Sequence, residues 1–139
     1  MKQLNVKIVI ATHKKYKMPE DKMYLPIHVG AEGKKDEQGN NLDLGYTMDN
    51  TGDNISSFNA SFCELTALYW AWKNLDADYI GLVHYRRHFS LIKNKNKWES
   101  VLTYEQLAPY LGKIRVFVPN KRRYYIESLY SHYAHTHYA

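Results

Sequence analysis

The feature that most constrains the fold is an almost continuous apolar run at residues 6–11, rich in β-branched side chains. A strand that is apolar on both of its faces is typical of a parallel sheet covered on both sides. A second run, residues 79–83, has the same character. Both runs end abruptly in polar and basic residues, at 12–15 and 84–88. The sequence therefore predicts two buried strands whose carboxyl ends carry reactive side chains.

Two further segments are predicted to be strands. Residues 24–29 qualify, although Pro26 cannot donate to a ladder and indicates an edge or irregular strand. Residues 114–118 form the other run, which ends at Pro119. The polar, glycine-rich stretch 30–45 is predicted to be a loop.

The main helix is predicted from a capping-box pattern, Ser61-Phe62-Cys63-Glu64. Phe62, Leu65, Tyr69 and Trp72 recur at helical spacing, and 67–72 is apolar nearly all round, which predicts burial on several sides. The helix is expected to end between Asn74 and Asp76. A shorter helix is expected to begin at Thr103, with Gln106 at the capping-box position and Pro109 and Gly112 closing it, and residues 126–133 are consistent with a third helix.

Alternation of strands and helices predicts an α/β fold with a mostly parallel sheet flanked by helices. The length of 139 residues suits one domain, spanning 1–139. The single cysteine, Cys63, excludes an internal disulfide and fits a reducing cytoplasm. No signal peptide is recognisable, and no stretch approaches the ~18 apolar residues of a membrane span. The expected location is cytoplasmic, with contact to a membrane from inside.

The formal net charge of +5 favours an anionic partner, such as phosphate groups, nucleic acid or an anionic membrane surface. Thirteen tyrosines and three tryptophans suit a site that stacks on rings, or equally a core lined by aromatic residues. No nucleic-acid-binding signature accompanies the charge, so a nucleic-acid-binding module is the least favoured class.

Several segments together resemble one family, catalogued as domain of unknown function 4422 and found in bacterial capsular and exopolysaccharide gene clusters. The most specific segment is 64–74, followed by 79–87. The other matching segments are 12–14, 24–31, 52–56 and 130–133. The resemblance implies a glycosyltransferase with a GT-A-like, Rossmann-like fold, which binds a nucleotide-diphosphate sugar and transfers the sugar to a growing or lipid-linked glycan of a surface polysaccharide.

Members of that family usually continue well beyond 139 residues. The resemblance therefore implies the N-terminal portion of a longer domain, apparently truncated at the C-terminus. We expect such a portion to bind donor better than it turns donor over. A shortened, non-catalytic nucleotide-sugar-binding module is the alternative function.

The donor site is expected at the carboxyl ends of the strands, where open α/β sheets bind ligands. The candidate donor-binding residues are Thr12, His13, Lys14, Asp53, Asn54, His84, Tyr85, Arg86 and Arg87. Arg86 or Arg87 is predicted to hold the diphosphate without a metal, because guanidinium groups bind phosphate through two parallel hydrogen bonds. One arginine pairing with Glu64 is the structural alternative, and Mg²⁺ or Mn²⁺ is the cofactor alternative. Asp76-Ala77-Asp78 precedes its strand, so it is predicted to be a solvated turn.

The catalytic base remains open, with Asp49, Asp53 and Glu127 as candidates. Asp49 and Asp53 suit either a sugar hydroxyl or a local cap of the following residues. Glu64 is a further plausible base, expected either beside the donor site or in helix packing. A tail of His132, His135 and His137 favours an acceptor-facing segment over a metal site, and the basic, aromatic stretch 121–125 suits either an acceptor pyrophosphate, anionic lipids or a solvated loop.

Overall fold

The computed structural model describes residues 3–92 and 96–121, together with Ser128, Tyr130, Ser131 and Ala134. Its centre is a parallel four-stranded sheet with the order β3-β2-β1-β4. The strands are β1 (Val6–Thr12), β2 (Tyr24–His28), β3 (Thr47–Met48) and β4 (Tyr79–His84). The predicted α/β class and parallel sheet are confirmed.

Strand β1 is an inner strand with a long partner on each side. It pairs along its length with β2 on one side and with β4 on the other, so that Ile8 lies opposite both Tyr24 and Gly81. A side chain at position 81 would begin 3.0 Å from a methylene carbon of Ile8, which explains the glycine there. Because all three strands are parallel, their carboxyl ends lie at one edge.

Both faces of β1 are covered. The helices are α1 (Asn59–Phe62), α2 (Leu65–Asn74) and α3 (Tyr104–Leu107), with 3-10 turns at Ser56–Phe58 and Ala108–Tyr110. On one face, Ala67, Trp70 and Ala71 of α2 pack against β1 and β2. On the other face, Val101, Leu102 and Leu107 pack against the alternate residues of β1. Burying each large aliphatic side chain of β1 contributes about 2 kcal/mol.

Pro26 lies within a regular strand that has neighbours on both sides. The Val29 N–H donates to the Thr12 carbonyl of β1, whereas the His28 carbonyl accepts from Asp49, beyond β3. Successive residues of a strand bond in opposite directions, so Pro26 faces away from β1. Strand β3 pairs only with Ile27 and His28, and the missing N–H therefore costs no ladder bond.

The predicted capping box at Ser61 and Glu64 is wrong. Helix α1 ends at Phe62, Cys63 takes a left-handed φ of 49°, and α2 starts afresh at Leu65 with no side-chain cap. The Asn59 amide donates to the Cys63 carbonyl at 2.8 Å and holds this corner. A four-residue pattern cannot distinguish the start of a helix from a bend between two helices.

The prediction of burial for 67–72 holds for Ala67, Trp70 and Ala71 but not for Trp72, and the apolar residues at helical spacing do not form the buried face. Phe62, Leu65 and Trp72 are exposed, with Trp72 at 63%. The face on the sheet instead consists of Thr66, Ala67, Trp70 and Ala71. Three of these four residues are small and allow the helix to approach the sheet closely, while Trp70 supplies the large apolar surface.

Residues 114–118 do not form the predicted strand. Ile114 makes one isolated bridge with Leu111, and Val116 and Val118 are about three-quarters exposed. Apolar, β-branched composition alone does not supply a pairing partner. In contrast, the capping box of Thr103 and Gln106 is present in both directions at the start of α3. The expected helix at 126–133 falls largely outside the described residues.

In the part of the chain that the structure describes, no helix combines the length and apolarity needed to span a membrane.

Asp49 is a buried carboxylate that ties three segments together. It accepts hydrogen bonds from the N–H groups of Gly30 (2.8 Å) and Ala31 (3.1 Å) and from the Ser56 hydroxyl (2.5 Å). Gly30 has φ +63°, and a side chain there would collide with Asn59. The end of β3, the turn after β2 and the start of the helical segment are thereby fixed relative to one another.

We expect Asp49→Ala to lower the free energy of unfolding by about 3 kcal/mol, because buried donors that lose their acceptor keep the desolvation cost. Urea denaturation followed by circular dichroism measures this loss. Asp53→Ala is the matched control, since the Asp53 side chain is 57% exposed, and it should change the free energy by less than about 1 kcal/mol. Equal effects of the two substitutions would contradict the structural role of Asp49.

Candidate functional site

A cleft of about 400 Å³ opens at the carboxyl edge of the sheet. Its walls come from the ends of β1, β2 and β4, from the bend between α1 and α2, and from the loop after β2. The lining residues are Ala11, His13, His28, Val29, Lys34, Leu42, Asn59, Cys63, Glu64 and His84. The location matches the edge at which parallel α/β sheets bind ligands.

Glu64 and His84 face each other in this cleft. The Glu64 Oε1 lies 3.9 Å from the His84 Nε2, beyond hydrogen-bonding distance, and both side chains are partly exposed. Burial lowers the pKa of His84, the nearby Glu64 opposes that shift, and Arg86, Arg87 and His13 add to it. The imidazole is therefore neutral at pH 7, and it leaves the carboxylate free to accept a proton or a hydroxyl hydrogen bond.

His28 is a buried polar group in the cleft wall. It is 1% exposed, and its Nδ1 has no hydrogen-bond partner among the described residues. Desolvation lowers its pKa against the opposing influence of Asp49, and the positive charge of Lys34 lowers it further. A neutral ring with one unpaired nitrogen can accept or donate a hydrogen bond, depending on its tautomer.

Next to the cleft, two cations stack on one buried ring. The Lys14 ammonium lies 5.6 Å and the Arg86 guanidinium 5.4 Å from the centroid of Tyr85. His13 contacts the same ring edge-on at 5.3 Å, and His84 lies 4.3 Å from it. Within the described ranges, neither cation forms an ion pair with a carboxylate. Both charges are therefore available to an external anion.

Two other predicted donor residues, Thr12 and Arg87, adjoin His13 and Arg86 in sequence but differ in exposure. Thr12 is buried, and its hydroxyl bonds the backbone of Lys14, donating to the carbonyl at 2.5 Å. It shapes the loop that presents His13 and Lys14. Arg87 is exposed, and its backbone N–H closes a turn onto the His84 carbonyl. The alternative pairing of an arginine with Glu64 is not seen, since Glu64 is opposite His84.

The structure does not bring Asp53 and Asn54 to the cleft. Asp53 accepts from the Tyr69 hydroxyl at 2.9 Å and lies 4.0 Å from the Lys73 ammonium, on the later turns of α2. The cleft is at the opposite end of that helix. The Asn54 side chain makes only local bonds, to the Gly52 carbonyl and the Ser56 N–H.

The remaining candidates lie elsewhere. Asp49 is fully buried and engaged in the three bonds described above. Glu127, the tail histidines His132, His135 and His137, and the basic residues 122–125 fall outside the described residues.

The Asp76-x-Asp78 pair lies at the amino edge of the sheet. The Asn5 N–H donates to Asp78 at 2.7 Å, and the Asn5 amide donates to the Asp76 carbonyl. A wide groove of about 690 Å³ lies at this same edge, lined by acidic and basic residues together. Among the described residues, no three His, Cys, Asp or Glu side chains are grouped so as to hold a metal ion.

The polar cleft residues that the sequence did not assign to a site are His28, Lys34 and Asn59, whereas Glu64 is already one of the plausible bases. A helix that crosses between parallel strands runs antiparallel to them, so its first residue lies at the carboxyl edge. That rule decides between the two positions expected for Glu64, beside the donor site or in helix packing, in favour of the site.

The family described as domain of unknown function (DUF4422) matches residues 7–139. A solved structure, that of the bifunctional glycosyltransferase WbbM in its apo form, is similar to this chain with a TM-score of 0.57 and 40% sequence identity. The similarity covers 66% of this chain and 15% of the WbbM chain. No curated protein matches the chain.

Proposed function

This chain belongs to the family described as domain of unknown function (DUF4422), and from that premise we propose that it acts in glycosyl transfer. It binds a nucleoside-diphosphate sugar at the carboxyl edge of the sheet, and the sugar passes to a glycan acceptor. The 40% identity to a solved glycosyltransferase supports this class of reaction.

One observation carries the proposal: the cations of Lys14 and Arg86 both lie near the Tyr85 ring, and among the described residues neither has a carboxylate partner. When a nucleoside diphosphate leaves, negative charge builds on its phosphate oxygens, and positively charged groups fixed in advance stabilise that charge. Lys14 and Arg86 are held near one ring, at the end of β4, beside a cleft large enough for a sugar. We assign the diphosphate to these two cations and the sugar to the cleft.

Glu64 is the proposed base. It lines the cleft, and at 3.9 Å from His84 it is close enough for one hydroxyl, seated beside the pair, to lie within hydrogen-bonding distance of both groups. A carboxylate in this position can take the proton of an acceptor hydroxyl as that oxygen attacks the anomeric carbon. His84, neutral through burial, orients the same hydroxyl by a hydrogen bond.

The acceptor in this proposal is a growing or lipid-linked glycan of a bacterial capsule or exopolysaccharide. Such an acceptor is assembled at the inner face of the cytoplasmic membrane, so the protein would work in the cytoplasm with peripheral membrane contact. The net charge of +5 is compatible with an anionic surface nearby.

A donor-binding module without catalysis is the second candidate. It is favoured by the positions of Asp49, which is buried, and Asp53, which lies at the far end of α2. Neither carboxylate can serve the cleft, so catalysis in the described residues depends on Glu64.

We expect Lys14→Ala and Arg86→Ala each to weaken binding of a uridine diphosphate sugar at least tenfold, because each removes a charge from the diphosphate. Isothermal titration calorimetry measures the affinity. Lys73→Ala is the control, since Lys73 also lies over an aromatic ring but at the far end of α2. Density for the nucleotide near Asp76 and Asp78 in a soaked crystal would overturn the location.

Glu64→Gln should preserve donor affinity within about twofold and lower turnover by about 10²–10⁴, the range typical of a lost general base. Release of nucleoside diphosphate in the presence of acceptor measures turnover. Glu64 makes no capping bond, so the substitution should leave stability unchanged. If the unaltered protein binds the donor but shows no turnover, the non-catalytic module is favoured.

Donor binding is also expected to be independent of metal, because Lys14 and Arg86 supply the positive charge. Titrations with a chelator present should give nearly the same affinity as titrations with Mg²⁺ or Mn²⁺. A loss of tenfold or more on chelation, about 1.4 kcal/mol, would return a divalent cation to the site.

A further inference from the structure

A second aromatic and cationic group lies beyond Tyr85, and the proposed donor site does not use it. We call it the outer cluster: Tyr16, Lys17, Lys97 and Trp98. The Tyr16 ring lies 6.4 Å from that of Trp98 and 5.1 Å from that of Tyr85. The outer cluster is therefore continuous with the donor side of the carboxyl edge, with Tyr85 as the shared wall.

Two lysines converge on one ring of the outer cluster. The ammonium groups of Lys17 and Lys97 each lie 4.8 Å from the Trp98 centroid, and that of Lys97 also lies 5.4 Å from the centroid of Tyr16. The two ammonium groups are thus at most about 10 Å apart, so an anion that binds near the Trp98 ring lies within about one screening length of both. In the described parts of the chain, no carboxylate pairs with either lysine. Both positive charges are therefore available to attract an anion at this ring.

The outer cluster is held in position by bonds to the backbone. The Lys97 ammonium donates to the Arg86 carbonyl at 3.3 Å, which ties it to the donor side. The Tyr46 hydroxyl accepts from the Tyr16 N–H and donates to the Tyr16 carbonyl, at 3.3 and 3.1 Å. Groups fixed before binding lose little entropy when a ligand arrives.

We propose that the outer cluster is the acceptor subsite, and that it recognises a saccharide carrying a phosphate ester. The flat apolar face of a sugar ring packs against Tyr16 and Trp98, while Lys17 and Lys97 bind the phosphate as point charges. The assignment as an acceptor subsite rests on the proposed function, because a transferase needs a second site that opens onto the donor site. Tyr85, in contact with Tyr16 and with both donor cations, provides that junction.

The test is calorimetric titration of the whole chain with glucose 1-phosphate, with and without saturating uridine diphosphate. The double variant Lys17→Ala/Lys97→Ala should bind glucose 1-phosphate at least tenfold more weakly and uridine diphosphate within twofold of the unaltered protein. Lys73→Ala, which removes an ammonium 3.8 Å from the Trp72 ring, should change neither affinity. If the protein binds glucose 1-phosphate but no nucleotide, the result would support binding of a sugar phosphate at the outer cluster and contradict the assignment of the donor site.

Tryptophan fluorescence provides a site-specific readout. Glucose 1-phosphate should change the emission of the unaltered protein and of Trp72→Phe, and this change should disappear in Trp98→Phe. The inference would be overturned if uridine diphosphate displaced glucose 1-phosphate and the double lysine variant lost affinity for both ligands equally. The two lysines would then belong to the donor site. Lysine-dependent binding to phosphatidylglycerol vesicles without binding of glucose 1-phosphate would overturn it in favour of a lipid surface.

Discussion

The pairing of β1 with two parallel neighbours is the constraint on which the rest of the structure depends. Strand β1 bonds to β2 and to β4, and helix α2 and the 101–107 region bury its two faces. A strand held on all four sides cannot slip in register without exposing its apolar side chains. Its carboxyl end therefore has one position relative to those of its neighbours, and every group of the candidate site takes its place from that edge.

Much of this arrangement is available from the sequence because burial on two faces leaves a strong trace. The runs before Thr12 and His84 are apolar at almost every position, and each is followed by basic residues. Those two signals are enough to predict parallel strands and a polar carboxyl edge. They also place His13, Lys14, Tyr85 and Arg86 together, as the structure does.

The predictions that are wrong concern burial and contacts, which depend on residues far apart in the sequence. Asp49 and Asp53 look alike in a loop of turn-forming residues, yet Asp49 is buried against two backbone N–H groups, whereas Asp53 is exposed and contacts side chains of α2. The apolar stripe through Leu65 and Trp72 has helical spacing but faces solvent, since the sheet selects the alanine face. Local pattern gives the period of an element, whereas the partner that it meets decides which residues are buried.

The bend at Cys63 has a practical consequence. Cys63 is the one cysteine of the sequence; it is exposed, it lines the cleft, and Asn59 and Thr66 bind its carbonyl from within the fold. A thiol-directed fluorophore or spin label would therefore attach at a single position, beside Glu64, without any engineering of the chain. The protein thus carries its own chemical handle at the mouth of the site, from which occupancy of the cleft can be followed in real time.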